Sequence, residues 1–199
     1  MKTPIVALVA LLLVTSTFAQ STDEQPAKAL NSLTFPEIVA VTAIHLLSDT
    51  PSRQETGKRM SDAIIITGAL TAGLKYAVRS PRPEPNQADD KGFPSAHTSL
   101  AFATAAALTE REPSAGWIAY PLAAIAGWAR HDLRQHTWEQ ILAGAVLGAY
   151  IGHQAGEGEL TIFGHNDSSL PVSQQTAEHH NPVHPVGPAA QLSVWGTNF

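Results

Sequence analysis

Three cations and two imidazoles fall in three short blocks of this chain: Lys75 with Arg82-Pro83, Pro94-Ser95-Ala96-His97, and Arg130 with His136. Together they suit one kind of chemistry. A lysine point charge and arginine forks grip phosphate oxygens. One neutral imidazole attacks phosphorus, and a second, protonated, gives its proton to the oxygen that leaves. Taken singly, each block has an ordinary reading. Cations near a helix C-terminus offset the helix dipole, a serine caps a helix start, and a histidine can simply lie in an interhelix loop.

The elements that must hold these residues read as helices. Apolar positions from Ile38 to Leu47 form a helix after Pro36, with residues 20–33 as a polar lead-in and 50–56 as a turn. A long helix follows from about Gly57 to Val78. It carries Lys75, and Arg82 lies two turns further on the same side, with Arg79 between them. Pro81 and Pro83 stop it, because a residue before proline avoids the helical region. Residues 80–93 form a loop, and Asp89-Asp90 is its solvated tip. A helix starts at Ser95–Thr98 with Ser95 as N-cap, so His97 sits in the first turn beside free N–H groups. Another spans about Ala115 to Arg130. The last runs from Thr137 to Gln154, where Thr137-Trp138-Glu139-Gln140 fits the capping-box pattern. In that helix Gly144 and Gly148 stand four apart, a spacing that permits close helix contact.

Composition narrows the class. The chain has 199 residues, 44% hydrophobic and only 15% charged, which points to extensive burial or to lipid contact. A net charge of −5 argues against nucleic acid as a partner. There is no cysteine, so disulfides, thiol catalysis and thiolate metal sites are excluded. Lys2, an apolar run from Pro4 to Val14 and small residues ending at Ala19 read as a signal peptide over residues 1–19. The apolar stretches of the later helices are shorter than the ~20 residues that span a bilayer, which favours a soluble or surface-bound bundle. Residues 159–199 read as an irregular tail. Its His179, His180 and His184 are taken as solvated.

The three blocks, in this order, resemble the signature of the type-2 phosphatidic acid phosphatase superfamily, which includes bacterial acid phosphatases, lipid phosphate phosphatases and vanadium haloperoxidases. Lys75 and Arg82-Pro83 match its first pattern. Pro94, Ser95 and His97 match the second, with Ala96 in place of glycine. Arg130 and His136 match the third, but Ala129 replaces a serine and Gln140 replaces an aspartate. The third block is also similar to that of dolichyl-diphosphate phosphatases.

The resemblance implies that His136 is the nucleophile, forming a phosphohistidine, and that His97 protonates the leaving group. Lys75, Arg82 and Arg130 would bind phosphate, with Ser95 and the Ala96 amide helping, and no metal or other cofactor would be needed. Gln140 would orient His136 without the charge of an aspartate, or serve only the capping box. On the first view, restoring an acid at position 140 raises turnover.

The expectation is therefore an all-α bundle of about five helices over residues 20–158, behind a signal peptide and followed by an irregular tail. It would hydrolyse phosphate monoesters or diphosphates, lipid-linked ones favoured, in the periplasm or outside the cell, or from a membrane with its site on the outer side. Two other readings share the pocket: a vanadium-dependent haloperoxidase, and a phosphate- or lipid-headgroup-binding protein weakened by Gln140.

Overall fold

The computed structural model describes residues 26–85 and 88–164. The residues read as a signal peptide, 1–19, and the His-rich tract lie outside them. Among the described residues the fold is all-α, with five helices: α1 (Pro26–Leu46), α2 (Pro51–Val78), α3 (Ala96–Arg111), α4 (Gly116–Asp132) and α5 (Trp138–Glu157). A single 3-10 turn, Pro113–Ala115, joins α3 to α4.

Two helix starts differ from the sequence expectation. The stretch read as a polar lead-in is the first half of α1, which begins at Pro26 and continues through Pro36. A proline inside a helix forfeits one backbone hydrogen bond. Here the buried residues Leu33, Thr34, Ile38 and Thr42 hold both halves against the bundle, and Pro36 itself faces outward. The stretch read as a turn is the first part of α2. Thr50 is its N-cap and Pro51 its first residue, a position where proline's missing N–H costs nothing. The end of α2 is sharp, since Arg79 takes the left-handed conformation at φ 46°.

Helix α3 lies at the centre. Its alanines serve two apolar clusters, one with α2 and α5 (Met60, Ala63, Ala103, Ala107, Leu108, Ala155) and one with α1 and α4 (Ile38, Ala101, Ala105, Ala123, Ala126). The most extensive contact is between α3 and α5. Gly144, Gly148, Gly152 and Gly156 recur every fourth residue on α5 and face α3. A Cβ at Gly144 would sit 2.7 Å from the Ser95 carbonyl oxygen, and one at Gly148 or Gly152 would collide with the Ser99 or Ala103 carbonyl. These glycines let two backbones touch, and this fixes the start of α3, with His97, against the start of α5, with Gln140.

The exterior is unusually apolar. On α5, Trp138, Leu142, Val146 and Tyr150 form an exposed stripe at four-residue spacing, and on α4 Trp117, Ile118 and Trp128 are exposed. Among the described residues, α1 is long and apolar enough to cross a membrane by length and composition.

Candidate active site

The three blocks meet at one end of the bundle. The end of α2 and the loop after it bring Lys75 and Arg82, the start of α3 brings His97, the last turn of α4 brings Arg130, and the α4–α5 connection brings His136. Their proximity is visible electrostatically, because Arg130, Arg82 and Lys75 each bear on both His97 and His136.

His136 is buried, and its neighbours settle its tautomer. Nδ1 lies 2.8 Å from the Gly92 carbonyl oxygen and 3.1 Å from Gln140 Oε1. The carbonyl only accepts, so Nδ1 carries the proton and donates it. Nε2 is left with its lone pair, 3.3 Å from Arg82 Nη1. Burial, then Arg130 and Arg82, lower the imidazole's pKa to about 3, so the ring is neutral at any ordinary pH.

Gln140 does both jobs considered for it. Its Oε1 accepts from the Thr137 N–H (3.2 Å), and its own N–H donates to Thr137 Oγ1, completing the capping box. The same Oε1 faces His136 Nδ1. Its Nε2 donates to Ser80 Oγ (3.0 Å) and to the Pro81 carbonyl (2.8 Å). Pro81 accepts only, which fixes the orientation of the amide and leaves no hydrogen-bonding capacity of this side chain unused.

The cations are held apart by different partners. Lys75 Nζ donates to the carbonyls of Lys91 (2.7 Å) and Pro94 (2.8 Å). Burial and the neighbouring Arg82 lower its pKa to about 8, so it remains charged at neutral pH. Arg82 Nε donates to Asp89 Oδ2 at 2.7 Å, and Nη1 donates to the Gln135 carbonyl at 3.1 Å. Arg130 donates from Nη1 to Asn31 Oδ1, while its buried Nε has no partner among the described residues. A buried guanidinium N–H without an acceptor asks for an anion oxygen.

His97 is partly buried under the Phe35 ring, with centroids 4.2 Å apart. Burial, then Arg130, Arg82 and Lys75, lower its pKa to about 4. A phosphate dianion among the three cations would offset their effect and let His97 hold a proton.

Ser95 is fully buried. Its Oγ accepts from Thr98 Oγ1 at 3.0 Å, and its N–H donates to the Gln140 carbonyl at 3.0 Å. It occupies the N-cap position without capping by its side chain. Ala96 opens α3 in ordinary helical conformation and is not among the positive-φ residues, so replacing the family's glycine introduces no backbone strain. Its N–H is one of the first in α3, which have no partner within the helix.

Four participants were not read from the sequence. Asn31 lies on the part of α1 taken for a loose lead-in and Phe35 just before the helix expected after Pro36, Gly92 acts through a carbonyl that any residue possesses, and Asp89 was taken for a loop tip.

The family model described as the PAP2 superfamily matches residues 59–155, a stretch that holds all three blocks. Residues 59–155 thus match the superfamily that the blocks resemble, that of the type-2 phosphatidic acid phosphatases. No curated protein and no solved structure matches the chain. The superfamily acts generally on phosphate esters, which agrees with a cationic pocket around a neutral imidazole. The matched stretch begins within α2, so α1 lies outside it.

Proposed function

We propose that this chain is a phosphatase that needs no metal and hydrolyses phosphate monoesters or diphosphates through a phosphohistidine on His136. The observation that carries the reading is the His136 tautomer. Its proton is committed to Gly92 and Gln140, and its unprotonated Nε2 faces Arg82 Nη1 at 3.3 Å, with Arg130 and Lys75 near enough to act on the ring.

In the first step Nε2 attacks phosphorus and a P–N bond forms. The P–O bond to the leaving group breaks, and His97 gives that oxygen its proton. In the second step, neutral His97 takes a proton from water as the water attacks phosphorus. The P–N bond breaks, inorganic phosphate leaves, and both histidines return to their starting states. Lys75, Arg82, Arg130 and the first N–H groups of α3, at Ala96 and beside Ser95, hold the phosphoryl oxygens as charge moves onto them. Gln140 keeps His136 in position.

The apolar exterior of α4 and α5 supports contact with a lipid surface and thus a lipid-linked substrate. In this reading residues 1–19 direct the chain to the outer side of the membrane, residues 20–158 carry the activity, and residues 159–199 are an appended tail.

Phosphate release from several phosphoesters, measured for the parent and for His136→Ala and His97→Ala, tests the mechanism. His136→Ala is expected to abolish release. His97→Ala is expected to slow alkyl phosphates far more than p-nitrophenyl phosphate, whose leaving group needs no proton. Undiminished release by folded His136→Ala would refute the nucleophile assignment.

A further inference from the structure

A slot of about 240 Å³ lies between α1, α3 and α4. The site residues themselves do not line it, but its walls continue from them along each helix. On α3, His97 is followed on the same face by Ala101, Ala105 and Leu108. On α4, Arg130 is preceded on the same face by Ala126, Ala123 and Ala119. On α1, Asn31 is followed by Thr34, Ile38 and Val41. Each helix thus presents one site residue and then, turn by turn, a wall of the slot.

The walls are suited to hydrocarbon. Alanines hold the gap open, and the two threonine hydroxyls are already used within their own helices, Thr34 on the Leu30 carbonyl and Thr104 on the Leu100 carbonyl. A sugar or nucleoside would find few free hydrogen-bonding groups there. Glu37 is the one ionisable side chain on the walls, and burial raises its pKa.

In-line displacement decides what the slot receives. The leaving oxygen must lie opposite His136 Nε2, on the side of His97. His136 opens on its own side to a separate polar cleft lined by Pro83, Glu84, His131, Asp132 and Arg134. The apolar slot begins one helical turn beyond His97, at Ala101.

We infer that this slot seats the aliphatic chain of the leaving group, with α1 as the specificity wall and Asn31 and Phe35 at its entrance. The inference rests on the phosphatase reading and adds to it the chemistry of the alcohol and the element that selects it, an element outside the matched PAP2 stretch. From His97 to Leu108 the helix rises about 16 Å, which is the length of roughly a dozen methylenes.

The test is kcat/KM of the full chain for n-alkyl phosphates from ethyl to decyl, alongside calorimetric binding of ethylphosphonate and decylphosphonate, which cannot be hydrolysed. The expected result is a rise of up to about fourfold per methylene in both series. In Ala119→Phe the ratio of decyl to ethyl phosphate kcat/KM should fall at least about tenfold, since the new ring fills the slot; the parent series decides the matter even if this variant fails to fold. Hydrolysis with no dependence on chain length would overturn the slot while sparing the phosphatase. That flat series is also expected if the chain's own apolar residues 4–14 fill the slot. Tighter binding of decylphosphonate with no phosphoester hydrolysed would instead support the slot and sink the phosphatase reading.

Discussion

Replacing Gln140 by glutamate separates what this side chain does from what the family's aspartate would do. The two side chains have the same shape, so Oε1 can still accept from Thr137 N–H and face His136 Nδ1. The change falls on the other terminal atom. Where Nε2 now donates to the Pro81 carbonyl at 2.8 Å and to Ser80 Oγ at 3.0 Å, the variant sets a carboxylate oxygen. The Ser80 hydroxyl can rotate and donate, but the Pro81 carbonyl cannot, so two acceptors are pressed together. Leaving a buried acceptor unsatisfied costs about 1–3 kcal/mol. For a domain of this size that corresponds to a fall in Tm of roughly 2–12 °C.

The effect on turnover follows from the Gly92 carbonyl. It is nearer to His136 Nδ1 than Gln140 is, 2.8 against 3.1 Å, so the ring is oriented before any acid is added. Gln140→Glu is therefore expected to melt lower and to turn over no faster than the parent. Gln140→Asp, one methylene shorter, also withdraws from Thr137, Ser80 and Pro81, and is expected to be slower. This reverses the expectation from sequence that an acid here raises turnover. Thermal melts and steady-state phosphate release at pH 7 check both. A Gln140→Glu protein with unchanged or higher Tm and a raised kcat would refute the reasoning.

Two further predictions follow from the same geometry. Gly92→Ala sets a Cβ 2.5 Å from Gln140 Nε2 and 2.8 Å from the Ser80 carbonyl, displacing the carbonyl that orients His136. Removing an orienting group costs about 10⁴-fold in the serine protease triad, so a displaced one should cost at least about tenfold in kcat, with KM little changed. The second prediction concerns pH. His136 and His97 have folded values of about 3 and about 4, below the unfolded 6.5, so the unfolded chain takes up protons that the folded chain refuses. Their joint effect is absent above pH 6.5 and lowers stability progressively as pH falls towards 3. Urea midpoints at pH 7.5 and 5 should show the loss, and it should be smaller in His97→Phe; an equal loss in that variant would count against burial of His97.

What could be read from sequence was what local chemistry dictates. Pro81 marked the end of α2, Thr137 and Gln140 marked the start of α5, and the spacing of the blocks identified the residues that meet. Long-range packing was not readable. Pro36 looked like a helix start because no local signal reports that Leu33 and Thr34 are buried against the bundle. For the same reason Asn31 and Phe35 went unread, though they touch Arg130 and His97. Gly144 and Gly148 were noticed, but only the structure shows that the seam continues through Gly152 and Gly156 and aligns α3 with α5. A backbone carbonyl such as that of Gly92 has no side-chain signature at all.

An aspartate at the position of Gln140 would do two things: accept the Nδ1 proton, and lend negative charge as the imidazole becomes cationic. These functions separate in this chain. Acceptance falls to the Gly92 carbonyl and to Gln140 Oε1, both neutral. Among the described residues no carboxylate bonds the ring, and the carboxylate that bonds the cations, Asp89, pairs with Arg82 in the exposed loop. The imidazolium of the phosphohistidine would then be balanced chiefly by the phosphoryl oxygens themselves. That places the greater demand on the three cations, which must bind those oxygens without neutralising them fully. The ties already on Arg82 and Arg130, to Asp89 and to Asn31, are consistent with such partial engagement. Of the two, Asn31 is the more telling, because it reaches the site from α1 and so connects phosphate binding to the wall that would select the leaving group.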